Sequence, residues 1–172
     1  MMMMMKTNCG GFGDVCEIFY YNQDDFDVGI ILKKEDNMII YKDFNMFGEY
    51  NGLILQTHRV IEEICYDDRY VRFMKKIIDR DTISSLELLN KMDFINYAIK
   101  NNRVLAIVTK KQEVEDFNDV KIIDCDGTYL KYQIYTRWAE LYKRIHKTKI
   151  SDIVMMQVDS KYTRLIEKIR EE

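Results

Sequence analysis

Apolar and polar residues alternate, or apolar ones run in short blocks, over five stretches of the first half: "DVCEIFYY" (14–21), "FDVGIILKK" (26–34), "NMIIYKDF" (37–44), "GLILQT" (52–57) and "RVIEEICY" (59–66). Their short length, their β-branched and aromatic content, and the turn formers Asp24-Asp25, Glu35-Asp36 and Gly48–Gly52 between them predict strands. The period then changes. Tyr70, Phe73, Met74, Ile77 and Ile78 fall on one helical face behind a cap at Asp67 or Asp68, which predicts a helix with that stripe in the core. A connecting helix is predicted over 84–102. Ser84-Ser85-Leu86-Glu87 has capping-box spacing, Leu88, Met92, Ile95 and Ile99 share a face, and Asn101-Asn102 ends the run. Strands are predicted again over 103–109, 119–124, 129–136 and 150–158. Residues 137–149 fit strand or helix. A last helix, capped by Asp159 or Ser160, is expected to bury Tyr162, Leu165, Ile166 and Ile169.

The pattern repeats. At an offset of 92 without a gap, "DVGII" (27–31) meets "DVKII" (119–123), Tyr50 meets Tyr142, and "IEEICYDDRYVRFMKKI" (61–77) meets "IVMMQVDSKYTRLIEKI" (153–169). Over 27–77 against 119–169 there are 11 identities in 51 positions, where unrelated sequences would give roughly three. The expected organisation is a flexible leader over 1–13, a first β-rich unit over 14–80, a connecting helix over 84–102, and a second β-rich unit with a C-terminal helix over 103–172. The fold class is mostly β with helices (α+β): two related barrel-like or bent antiparallel-sheet units, each followed by a helix, because small open sheets otherwise leave sticky edges.

Composition narrows the functional classes. The 172 residues are 47% apolar, enough for a packed interior. No apolar run is long enough to span a bilayer, and "MMMMMKTNCGG" lacks the basic leader and apolar core of a signal peptide, so a cytoplasmic location is expected. Cys9, Cys16, Cys65 and Cys125 form no CxxC pair, and His58 and His146 lie apart from them. Reduced thiols, no metal and no cofactor are expected. Proline is absent, which with the abundant Ile, Lys, Asn and Tyr suits an AT-rich bacterial or phage genome. Charge is uneven: residues 1–82 carry a net −5 and residues 83–172 a net +2.

One string carries candidate chemistry. "VKIIDCDGTYL" (120–130) resembles the first motif of haloacid-dehalogenase-like phosphotransferases, an apolar strand ending in Asp-x-Asp-Gly-Thr. That resemblance implies Asp124 as nucleophile, Asp126 as acid/base, and Mg²⁺ between them. Only 44 residues follow Thr128, and no later acidic pair completes a metal site. The repeat sets Asp124 against Leu32 and Asp126 against Lys34, where the first copy simply turns. A hairpin is therefore expected, because Asp-Gly accepts positive φ. The same string lacks the glycine and glutamate of a calcium loop. "CGGFG" (9–13) has neither the strand nor the lysine of a phosphate-binding loop.

Two surfaces are candidates for binding. In "RWAELYKRIHKTK", Arg137, Lys143, Arg144, Lys147 and Lys149 face only Glu140, with Trp138, Tyr142 and His146 interleaved. Cations beside stacking rings suit single-stranded nucleic acid. The plainer expectation turns Trp138 and Tyr142 inward and leaves a solvated face. Asp24, Asp25, Asp27, Glu62 and Glu63, with Asp67 and Asp68, are candidates for recognising a basic protein. Unpaired strand edges suit self-association.

"FDVGIILKKEDNMIIYKDF" (26–44) resembles the first signature of Sm-like proteins, with Gly29 where that family bends a strand. The likeness covers 14–66. It implies a five-stranded barrel that associates edge to edge, often with RNA. The second copy has Lys121 for the glycine, Arg59 is followed by Val60 rather than by the family's later glycine, and none of its RNA-contacting residues can be carried over. The expected function is a non-enzymatic protein-interaction or regulatory module. Alternatives are RNA or single-stranded nucleic-acid binding through 137–149, and a phosphotransferase using Asp124 and Asp126. A protein partner or self-association is expected; no membrane or small-molecule substrate is inferred.

Overall fold

A computed structural model describes residues 6–7, 13–21, 25–78, 80, 85–112 and 117–171. Over the described residues the chain is mostly antiparallel sheet with three α-helices, and it divides into two units, Met1–Leu86 and Glu87–Glu172. Among the described residues no helix is long and apolar enough to cross a membrane.

The first unit contains β1 (Lys6–Thr7), β2 (Val15–Tyr20), β3 (Phe26–Lys34), β4 (Met38–Phe44), β5 (Tyr50–Thr57), β6 (Ile61–Cys65) and α1 (Arg69–Ile77). Its strand order is β1-β6-β2-β3-β4-β5, antiparallel except for the β1–β6 pair. The β1 strand lies within the stretch read as a leader, most of which falls outside the described residues. A short 3₁₀ turn, His58–Val60, leads from β5 into the closing strand β6.

One sheet face packs against α1. Val15, Val28, Ile30, Phe44 and Tyr50 from the strands meet Val71, Met74 and Ile78. The Asp68 side chain accepts from the Val71 amide at 2.6 Å and fixes where the helix starts. From that start the inward face is Val71, Met74 and Ile78. Tyr70 and Ile77 only flank it, and Phe73, expected in the core, is half exposed.

On the opposite face Asp27 is held among tyrosines. Tyr20 Oη donates to Asp27 Oδ2, Tyr41 Oη lies 2.5 Å from the same oxygen, and Gln56 Oε1 is 3.1 Å from Tyr41 Oη. Burial raises the Asp27 carboxyl above its usual range, and it raises Asp43 and Tyr41 well above theirs. Gly29 is required here for space: a Cβ would stand 2.6 Å from Tyr41 Cδ2.

The second glycine with a defined role is Gly48, in the β4–β5 turn at φ +77°. A Cβ there would meet the Ile77 carbonyl oxygen, at the end of α1, at 2.8 Å. Backbone cannot yield as a side-chain tip can. Gly48→Ala is expected to lower unfolding free energy by about 2 kcal/mol, read from the midpoint of a urea titration. An unchanged midpoint would mean that the turn is not seated on α1.

The second unit contains α2 (Lys91–Lys100), β7 (Leu105–Thr109), β8 (Asn118–Cys125), β9 (Tyr129–Ile134), β10 (His146–Lys149), β11 (Ile153–Val158) and α3 (Lys161–Glu171). Its strand order is β11-β7-β8-β9-β10, antiparallel throughout. The α2 helix starts later than Ser84, which lies outside the described residues. The box that caps it is Asn90 with Asp93: Asn90 Oδ1 accepts from the Asp93 amide at 3.0 Å, and Asp93 Oδ2 accepts from the Leu89 amide at 2.8 Å. The buried face is accordingly Phe94, Ile95 and Ala98, while Ile99 is half exposed.

Ser160 caps α3, accepting from the Thr163 amide at 3.0 Å. Its inward residues are Thr163, Ile166 and Glu167; Tyr162, Leu165 and Ile169 are each about half exposed. The apolar stripe thus lies at the shoulder of α3. Polar Glu167 takes a buried place because it is satisfied there: its carboxylate accepts from the Val104 amide at 2.8 Å and from Arg103 at 2.7 Å.

Within each unit the last strand pairs with the first and the rest form a meander. The closing strands carry matching bulges. Glu62 is the extra residue opposite β2 and Val154 the extra residue opposite β7, 92 positions later. The caps Asp68 and Ser160 keep the same spacing. The central hairpins keep a different one: the bulge residues Leu32 of β3 and Ile123 of β8 are 91 apart. There the gapless sequence alignment is one residue out, and the pairing counterpart of Gly29 is Val120 rather than Lys121.

Candidate nucleic-acid interface

The corrected spacing uncovers a loop present in both units. In the first, the Asn45 amide bonds the Glu49 carbonyl at 3.0 Å, and the Asn45 side chain accepts from the Phe47 amide at 3.0 Å and the Glu49 amide at 3.1 Å. In the second, the Thr136 amide bonds the Glu140 carbonyl at 2.7 Å, and the Thr136 hydroxyl accepts from the Trp138 amide at 3.1 Å and the Glu140 amide at 3.3 Å. Gly48 and Ala139, the left-handed residues of the two loops, also correspond. A short polar side chain thus folds five residues into a rigid turn and leaves a ring at the tip. The ring is Phe47 in one unit, 72% exposed, and Trp138 in the other, 69% exposed. Trp138 does not turn inward, and neither does Tyr142, which is 55% exposed. Its aligned partner Tyr50 is buried, so that identity does not carry a shared environment.

Residues 137–149 are therefore neither one strand nor one helix. Arg137 and Trp138 form the tip, with the guanidinium 4.8 Å from the indole centre. Tyr142 begins the return, its amide bonding the Ile134 carbonyl at 2.9 Å, and Lys143 and Arg144 follow, both exposed. His146, Lys147 and Lys149 lie on β10, which pairs with β9 in the register His146↔Tyr132 and Lys149↔Tyr129. This pairing adds groups that the linear segment does not contain. Lys147 Nζ stands 4.0 Å from the Tyr129 ring centre, and His146 stacks on Tyr132. Beside them an open groove of about 430 Å³ is lined by Lys110, Lys111, Tyr129, Lys147, Lys149 and Asp152, among others. Among the described residues Lys110 pairs with Asp152 at 2.6 Å and Lys131 with Asp124 at 3.0 Å. Arg137, Lys143, Arg144, Lys147 and Lys149 enter no ion pair among those residues. Of the eight residues singled out, seven present an exposed ring or cation. His146 is half-buried, with its ring committed to Tyr132.

The acidic surface does not assemble as expected. Asp24 lies outside the described residues, Asp25 and Glu62 are exposed, Glu63 is half-buried, and Asp27 is turned into the tyrosine cluster. Asp68 caps α1 and faces Glu17 rather than the open surface. The string at 120–130 forms β8, a turn and the start of β9. Asp126 Oδ1 accepts from the Thr128 amide at 2.9 Å and the Tyr129 amide at 2.6 Å, bonds that hold its carboxyl below the usual range. Gly127 supplies φ +82°. The matching turn of the first unit closes on the Glu35 amide, 91 positions earlier.

A second cleft in this unit, about 410 Å³, is lined by Ala106, Phe117, Asp119, Tyr135, Arg137 and Tyr162, among others. Burial pushes Asp119 up to about 6. A carboxyl that holds its proton more tightly when folded stabilises the fold below the unfolded value, 3.8, and that stability is lost as pH rises towards 6. Asp119→Asn is therefore expected to be more stable than the parent by about 1 kcal/mol at pH 7 and equal to it at pH 3.5. Paired urea titrations check this, and a constant difference across that range would mean that Asp119 is solvated.

Among the described residues one group of three, Glu17, Cys65 and Asp68, stands close enough to share a cation. No family model, curated protein or solved structure matches the chain.

Proposed function

We propose that the protein is a non-enzymatic binding module made of two duplicated small β-units of Sm-like, barrel-forming kind. Its second unit binds single-stranded nucleic acid through Arg137, Trp138, Tyr142, Lys143, Arg144, Lys147 and Lys149. The carrying observation is Trp138, held outward by the Thr136 turn with the Arg137 guanidinium at its ring, in a segment whose cations enter no ion pair among the described residues. An exposed indole stacks on any base, and unpaired cations gain by releasing counterions from phosphates. The first unit shares the aromatic tip at Phe47, but its segment 45–57 carries no Lys or Arg, so it would add stacking and little phosphate affinity. The shared strand order and bulges support duplication, and the net +2 of residues 83–172 favours this half as the binding one. The setting would be the cytoplasm.

The test is a titration of labelled single-stranded RNA at 50 and 200 mM salt. With about four phosphates engaged, log K should fall with log salt at a slope of about −3. No binding at 50 mM would sink the reading, and a basic or apolar protein captured in its place would return the chain to the protein-interaction class. Metal-dependent turnover of a phosphate ester, abolished by Asp124→Asn, would overturn the non-enzymatic assignment.

A further inference from the structure

We propose that Glu17, Cys65 and Asp68 form a binding site for a transition-type divalent cation, zinc above all, in the first unit. Three elements bring them together. Glu17 on β2 and Cys65 on β6 are direct cross-strand partners, so both side chains rise from the same sheet face. Asp68 is the cap of α1, its carboxylate accepting from the Val71 amide and also hydrogen-bonded with Glu17, which places it in the cluster. One ligand atom from each residue lies within 4.8 Å of the other two. Bonds of about 2.0 Å to oxygen and 2.3 Å to sulfur would draw the three to about 3.5 Å apart, a closure that two rotatable carboxylates can supply.

The independent observation is Glu17 itself. It is 1% exposed, and its Oε2 has no hydrogen-bond partner. A buried carboxylate oxygen without a donor costs free energy unless something answers it. Among the described residues no cation pairs with it. The Glu17 side chain is instead hydrogen-bonded with Asp68, a second carboxyl of the same cluster. Cys65 is half-buried, so the cluster is reachable from solvent.

The ligand set selects the metal. A thiolate with two carboxylates suits Zn²⁺, Co²⁺ or Fe²⁺ and is poor for Mg²⁺ or Ca²⁺, which prefer all-oxygen shells. Binding would displace the thiol proton of Cys65 and any proton held by the carboxyl pair to solvent, leaving a fourth position for water. The second unit has no such site. Ser160 and Gln157 stand 92 positions after Asp68 and Cys65, and Ala106, which pairs with Gln157, takes the place of Glu17. The cluster therefore belongs to one unit and is not a by-product of the shared fold.

The experiment titrates the reduced full-length chain with Co²⁺ and then with Zn²⁺. Co²⁺ should produce a thiolate charge-transfer band in the near ultraviolet that equimolar Zn²⁺ bleaches, and Zn²⁺ should raise the melting temperature. Cys65→Ser should abolish the band, and Glu17→Gln should weaken affinity at least 10-fold while leaving the metal-free fold intact by circular dichroism. A band that survives in Cys65→Ser would place the metal on another cysteine and overturn the assignment. No band, with a melting temperature indifferent to Zn²⁺, would overturn it too and leave a carboxyl pair sharing only a proton.

Discussion

Replacing Lys143, Arg144 and Lys147 together with glutamate should weaken single-stranded RNA binding at least about 100-fold at 50 mM salt, and the salt dependence should flatten. All three side chains are exposed and enter no ion pair among the described residues, so the fold should be unaffected. Trp138→Ala should act differently. Losing one stacked base costs about 1–3 kcal/mol, roughly a 5- to 150-fold loss of affinity with an unchanged salt slope. The contrast separates phosphate contacts from stacking, because only the former release counterions. Fluorescence anisotropy at several salt concentrations reads both quantities. A triple variant with parental affinity would show that the cations are only a solvated face. Phe47→Ala should lie between Trp138→Ala and the parent, since its segment, 45–57, has the exposed ring without Lys or Arg.

Glu167→Ala should be the most damaging single change to the second unit. Its carboxylate, nearly inaccessible, is the acceptor for the buried Val104 amide and for Arg103. Truncation would orphan the amide, break the ion pair and leave a cavity under α3. Arg103 is partly exposed and can recover water, so the cost is expected at about 3 kcal/mol. Glu167→Gln keeps an oxygen for the Val104 amide and should cost about half as much. Urea unfolding of the three proteins checks the order, and equal stability of the alanine variant would mean that α3 is not held through this residue.

The strands are legible because short β-branched blocks separated by turn formers admit few other readings: the predicted blocks overlap every strand from β2 to β9 and β11, while β10 falls in 137–149, which fits strand or helix alike. Helix faces are not. In α3 the periodic apolar residues Tyr162, Leu165 and Ile169 are half exposed while Glu167 is buried. Periodicity cannot see that Val104 supplies a donor from another element. The helix α2 starts at the later of two capping boxes. The repeat was readable at its closing strand and helix. A gapless comparison could not register the one-residue difference in the central hairpins, and so it set Met46, rather than Phe47, against Trp138. The proposed binding segment is legible as a contiguous string, whereas Tyr129 and Lys111 join it only through strand pairing and folding. The trio Glu17, Cys65 and Asp68 had no spacing signature, being assembled from β2, β6 and a helix cap.

The strand β10 ends its unit's sheet order, so its outer backbone groups are not paired within that unit. A bare strand of this kind invites another chain to add on and start an aggregate. Lys147 and Lys149, two of its four residues, repel such an addition by charge and bulk. The lysines proposed to contact phosphate would therefore also discourage a second chain from adding at that edge. Neutralising them with alanine would confuse lost binding with lost solubility. Glutamate reverses the charge and keeps the edge guarded, and a bound nucleic acid strand would screen the lysines and cover the edge at once.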